Sequence, residues 1–196
     1  MGRSNVRAYT DQELLDAVSK CTGFKGFPQG YWGIGVQSKE DAFDKFDDKF
    51  YLFNGTKFVM VSDYFTTNAG KSGLLGYDQF GLEGTAVWKT NVIYYDLFKQ
   101  GLHKGKMEAY RQDKPIYYYR DSDKDKKAEE QGDPRFGVIY ANLHGSTYEK
   151  GKAIVKENIG GWSIACQVFG DNTEYEKFLE ITKNQKYLTY ALIKES

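Results

Sequence analysis

The chain of 196 residues has the length of one compact domain able to bury a substantial core. Its 27 basic and 27 acidic residues cancel and are mixed along the sequence, which excludes the broad electropositive face needed to hold a nucleic-acid backbone. The 16 tyrosines and 13 phenylalanines, set against 21 glycines and three prolines, favour strands joined by tight turns over a helical bundle.

The first residues, Met1-Gly2-Arg3-Ser4-Asn5-Val6-Arg7, are polar and lack the apolar stretch of a secretory signal. No later run reaches membrane-spanning length, so the expected product is soluble and made in the cytoplasm. Thr10-Asp11-Gln12-Glu13 has the form of a capping box, and Leu14, Leu15 and Val18 supply an apolar stripe, which together predict a short helix over 11–20 ended by Gly23. Residues 24–35 mix aromatics with glycines, a pattern of close backbone packing beneath aromatic rings. Gly33-Ile34-Gly35 has no third glycine and no helix signal after it, so it does not make a dinucleotide fingerprint.

Strands are expected over 49–53, 57–63, 85–95, 115–120, 136–143, 162–169 and 187–193, with a hairpin turn at Asn54-Gly55. A helix over 172–183, carrying Tyr175, Phe178, Leu179 and Thr182 at helical spacing, should follow the 162–169 strand and pack on the sheet. The fold class is therefore mainly β, a β-sandwich or open barrel with a short N-terminal helix and a later one, in a single domain over 1–196.

The mixed-charge segment 121–130 reads as a solvated loop. Its alternating Asp121, Asp123 and Asp125 resemble the start of a calcium loop, but Lys126 and Gly132 stand where an EF-hand needs glycine and glutamate. Cys21 and Cys166 are expected as free thiols. Two histidines and two cysteines without ligand spacing give no zinc motif, and neither a metal nor a cofactor is expected.

The chemistry-bearing stretch is Leu143-His144-Gly145-Ser146 followed by Gly161-Trp162-Ser163-Ile164-Ala165-Cys166-Gln167-Val168-Phe169. A cysteine nucleophile needs a base to take its proton, and backbone N–H groups beside it can stabilise an oxyanion. His144 ends one predicted strand and Cys166 follows 22 residues later on another, so adjacent pairing of the two strands brings the side chains together. Each residue also has a plain structural reading, because free cysteine is among the most buried residue types and a strand histidine is often only hydrogen-bonded in a core.

His-Gly followed by Ser-x-Ala-Cys resembles the signature of the L,D-transpeptidases, the YkuD-type domains, over residues 137–170. Thr66-Thr67-Asn68-Ala69-Gly70 and Gly84-Thr85-Ala86-Val87 are similar to the Thr- and Gly-bearing segments that precede that signature, and the Trp-Ser-x-x-Cys-Gln-Val-Phe form resembles a phage-associated branch. The resemblance implies Cys166 as nucleophile and His144 as its base, with the Gly145 carbonyl orienting the imidazole. It places the Ala165 and Cys166 N–H groups at the oxyanion and implies a peptidoglycan stem peptide as substrate. Attack expels a D-amino acid and leaves a thioester, which an amine resolves in cross-linking and water resolves in hydrolysis. Ser163, Trp162, His103 and Arg120 are expected at the substrate, although Ser163 also reads as shaping the loop through a local backbone hydrogen bond, Trp162 as core packing, His103 as an exposed or locally bonded turn histidine and Arg120-Asp121 as a surface ion pair.

Two positions depart from the family pattern. Ala165 stands where glycine usually precedes the cysteine, and its methyl group would exclude a positive φ. Val168 stands where arginine is common, which removes the charge behind a usual substrate-carboxylate or structural contact. With no export signal, delivery to the wall would come from lysis, a virion or a secretion machine. A noncatalytic wall-binding or virion module, or a cysteine hydrolase for another amide, is the competing reading.

Overall fold

The computed structural model describes residues 4–196. The N-terminal helix α1 (Asp11–Ser19) has the expected reciprocal cap, in which the Glu13 N–H donates to Thr10 and the Thr10 N–H donates to the Glu13 carboxylate. Its buried Leu14, Leu15 and Val18 pack with Trp32, Ile34, Phe53 and Ile193 on the outside of a barrel.

Eight strands close that barrel in the order β1 (Tyr31–Gln37), β11 (Tyr187–Lys194), β5 (Val92–His103), β6 (Met107–Gln112), β9 (Leu143–Gly145), β10 (Gln167–Phe169), β3 (Lys57–Thr66) and β2 (Asp48–Asn54). The barrel is closed rather than open, because β1 pairs β2 on one side and β11, in parallel, on the other. Alternation along each strand separates two faces: Phe50 and Leu52 join the interior cluster, whereas Tyr51 and Phe53 face α1. Helix α3 (Asn172–Thr182), close to the expected span, contributes Tyr175 and Phe178 to that interior cluster.

A small sheet of β4 (Thr85–Trp88), β7 (Ile116–Asp121) and β8 (Arg135–Gly137) lies beside the barrel in the order β4-β7-β8. A short helix α2 (Lys71–Gly76) runs into a 3-10 turn over Tyr77–Phe80. Neither was expected from sequence, and no helix among the described residues is long and apolar enough to cross a membrane.

Two expected strands are divided and a third is shortened, and each change shapes the site. The 85–95 segment splits into β4 and β5, with Asn91 at φ 58° between them, so its halves serve different sheets. The 136–143 segment splits into β8 and β9, and Tyr140 adopts φ 58° in the gap. The 162–169 segment is a strand only over β10, which leaves 162–166 as a loop carrying the cysteine. The glycine-rich 24–35 segment instead supplies β1, where a Cβ on Gly33 would lie 2.6 Å from the Phe50 ring.

Candidate functional site

Parallel strands β9 and β10 bring the conspicuous pair together. His144 lies in register with Val168, and Cys166 immediately precedes β10. One imidazole nitrogen from each of His103 and His144 and the Cys166 sulfur all lie within 4.8 Å of one another. His144 is fully buried; its Nδ1 donates to the Gly145 carbonyl oxygen at 2.6 Å, while its Nε2 has no hydrogen-bond partner. That carbonyl selects the tautomer and leaves an in-plane lone pair on Nε2. Gly145 itself allows close packing, since a Cβ there would stand 2.6 Å from the Tyr175 ring.

Burial pushes the Cys166 thiol up to about 11, partly opposed by the Asn142 N–H that it accepts at 3.4 Å and by Lys104. Burial also drives His144 down to about 3 and His103 to about 4, with Lys104 reinforcing both shifts. The resting site is therefore a neutral thiol beside a neutral imidazole, not a thiolate–imidazolium pair.

The loop before the cysteine is held by its carbonyls. Thr85 Oγ1 donates to Ile164 O at 2.9 Å, Trp88 Nε1 to Ala165 O at 2.8 Å, and Ser163 Oγ to Cys166 O at 2.8 Å. With these oxygens turned inward, the N–H groups of Ala165 and Cys166 donate to no protein acceptor among the described residues. Two donors beside the sulfur are thus free for a developing oxyanion. The two upstream Thr- and Gly-bearing segments meet at this loop: Thr85 belongs to one, and the other receives Gln167 Nε2 on Thr67 O and donates Gly70 N–H to Ser163 O.

Both departures from the family pattern have a structural outcome. Ala165 has no positive φ, so its backbone does not call for glycine, and its side chain packs against the interior cluster beside the cavity. The Val168 side chain is fully buried with Phe46 and Ile159, so an arginine at this position would point into an apolar cluster.

A cavity of about 240 Å³ opens over the sulfur, lined by Cys166, Ala165, Trp162, His103, Lys104, Arg120, Tyr140 and Leu82 among others. Trp162 forms one wall and packs on Tyr148, with ring centroids 5.2 Å apart. Ser163 takes the loop-shaping role, since it is fully buried and its hydroxyl donates to Cys166 O. Arg120 makes no ion pair with Asp121; it donates to Gly84 O at 2.8 Å and lies over the Tyr118 ring. His103 is buried rather than exposed, stacked on His144 with ring centroids 3.9 Å apart.

Asn142, which the sequence presents only as part of an apolar strand, ties the site together. Its backbone N–H meets the Cys166 sulfur, its carbonyl accepts from Gln167 N–H, and its Oδ1 accepts from Gln112 N–H at 3.1 Å. Its Nδ2 must then face His103 Nδ1, 3.0 Å away, and donate to it, which places the His103 proton on Nε2. This also bears on metal binding: His103, His144 and Cys166 offer three ligand atoms within 4.8 Å, but in this tautomer the His103 lone pair on Nδ1 is taken by Asn142, so a metal would have to displace that bond or the Nε2 proton. The exposed Asp123 and Asp125 and the half-buried Glu129 bring oxygens within 4.8 Å of one another, and the first two carboxylates accept N–H groups of their own loop.

No protein-family description, curated protein or solved structure matches this chain.

Proposed function

We propose that the protein is a cysteine acyltransferase or hydrolase of the L,D-transpeptidase type, acting on peptidoglycan stem peptides. The observation that carries this reading is the buried His144 imidazole, tied at Nδ1 to the Gly145 carbonyl at 2.6 Å and left without a partner at Nε2, with one of its nitrogens within 4.8 Å of the Cys166 sulfur that lines the cavity. A core histidine without function would have both nitrogens satisfied, because an unpartnered buried acceptor costs about 1–3 kcal/mol.

In the proposed reaction, the Cys166 sulfur attacks the peptide carbonyl as His144 Nε2 takes the thiol proton. The oxyanion is received by the Ala165 and Cys166 N–H groups. Collapse breaks the C–N bond, the proton passes from His144 to the departing amine, and a thioester remains. Water or an amine then attacks the thioester, giving hydrolysis or cross-linking and restoring the thiol. Chain delivery by lysis, virion or secretion completes the reading, with bacteriophage origin as its context.

Incubation with a stem tetrapeptide should raise the intact mass by the acyl group on Cys166, and Cys166→Ala should show no adduct. Absence of any adduct and of any turnover would sink the proposal. It would favour a noncatalytic wall-binding module using the exposed Phe136, Val138 and Tyr140 beside the cavity.

A further inference from the structure

We infer that Asp48 is a positioning residue for the Cys166 loop, acting through Thr67 and Gln167 across the inside of the barrel. Its effect on turnover rests on the acyl-transfer reading, while the tie itself is a property of the fold.

Asp48 opens β2 and is fully buried. Three donors converge on its carboxylate: Ser38 N–H on Oδ1 at 2.7 Å, and Thr67 N–H and Oγ1–H on Oδ2 at 2.6 and 2.8 Å. An ionised carboxylate only accepts and so matches this set, whereas an amide would turn a donor on the Ser38 or the Thr67 N–H. Burial, and after it the Asp47 carboxylate, push the Asp48 carboxyl up against these bonds.

The segment that Asp48 holds grips the cysteine loop on both sides. Thr67 O accepts Gln167 Nε2 at 3.1 Å, directly after Cys166, and Gly70 N–H donates to Ser163 O at 3.0 Å, ahead of it. Gln167 is fixed in turn by the Tyr190 hydroxyl, which donates to its Oε1 at 2.6 Å, and by its own N–H on Asn142 O. Gly35 leaves the room for this, since a Cβ there would stand 1.9 Å from the Tyr190 hydroxyl oxygen. Asp48, Thr67, Gln167 and Tyr190 are all fully buried, so bulk water does not replace a lost partner along the chain of bonds.

Barrel closure on this side has its own contacts, the ladders of β1 with β2 and of β2 with β3, and Asn68 is held separately by Gln37 and Asp41. What Asp48 adds is the placement of Thr67 as β3 ends, and with it the carbonyl that holds Gln167. A shift at Thr67 therefore moves the backbone beside the sulfur and the two oxyanion donors, where an error of about 1 Å can lower a rate about a hundredfold.

The test is Asp48→Asn, which keeps the side-chain shape, compared with wild type at about pH 9, where the native acid is ionised. Iodoacetamide labelling of Cys166 should accelerate at least about threefold while Cys21, packed beneath α1, is unchanged. Gln167→Met should give the same rise, and adding Asp48→Asn to it should change little further, because both act on one link. Thr67→Val, which removes a single bond, should move Cys166 in the same direction by less, and it decides the matter if Asp48→Asn does not fold. An unchanged Cys166, a joint rise of both thiols, or rises that multiply in the double variant would overturn the role. Stem-peptide kcat should fall at least about tenfold in Asp48→Asn, with KM within about twofold of wild type. A Cys166 labelling shift in a protein without wild-type turnover retains the tie and removes acyl transfer, whereas wild-type kcat and labelling in Asp48→Asn do the reverse.

Discussion

On the proposed acyl-transfer function, His144→Ala should turn over stem peptide at least about a thousandfold more slowly than the wild type while keeping a cooperative thermal transition. The size of the loss follows from the neutral resting site. With the thiol pushed up to about 11, almost no thiolate exists near neutral pH unless a base removes the proton during attack, and His144 Nε2 is the free acceptor at that point. In the proposed reaction the same nitrogen returns the proton to the leaving amine, so both halves of acylation would lose their catalyst. The structural cost is smaller, because the variant forfeits one hydrogen bond to Gly145 O and also removes a buried acceptor that had no partner. Added imidazole should recover part of the lost rate by entering the space left by the ring. Rates within a few-fold of wild type, measured on a folded variant, would exclude His144 as the base.

Local signals made part of this architecture legible. The Thr10–Glu13 cap and the Asn54-Gly55 hairpin depend on a few neighbouring residues and appear where sequence reading placed them. Strand β1 was hidden because Gly33 and Gly35 have low strand propensity in isolation; their lack of a side chain makes sense only once Phe50 and Tyr190 lie against them. The division at Tyr140 was equally hidden, since a positive φ is uncommon for a bulky aromatic residue and is imposed by surrounding structure, whereas Asn91 is of a type that tolerates this conformation.

The site divides along the same line. Cys166, His144 and Gly145 stand on adjoining parallel strands and carry a local motif. Asn142 and Lys104 carry none, because their roles arise from the β5–β6 hairpin reaching across to β9, a separation of 39 residues between His103 and Asn142. The glycine in Lys104-Gly105 was a usable signal for that hairpin turn, and it would have placed His103 at the end of a strand rather than within an exposed basic loop.

The neutral pair has a further consequence in the pH dependence of thiol chemistry. Alkylation of Cys166 by iodoacetamide should accelerate about tenfold per pH unit from pH 7 to pH 10, roughly a thousandfold in all, because the reactive thiolate fraction grows in that proportion below the thiol's raised value. Cys21 provides an internal comparison: burial also pushes it up to about 11, but its sulfur is buried beneath α1 and donates to Ala17 O at 3.7 Å, whereas Cys166 faces the cavity. Peptide-level mass spectrometry should therefore find Cys166 labelled first at every pH, although the two thiols titrate alike. A rate plateau below pH 8 would reveal a preformed thiolate–imidazolium pair and overturn the neutral resting state. Folding stability should respond in the acid range for the same reason. His144 is held at about 3 in the fold, against about 6.5 in an unfolded chain, so the unfolded state takes up a proton that the fold refuses as pH drops through this window. The stabilisation linked to neutral His144 is thus present above about pH 6.5 and fades towards pH 3. Replacing His144 with a residue that does not titrate should flatten that part of the acid-denaturation curve, and a curve unchanged in shape would show that the imidazole is not kept neutral by burial.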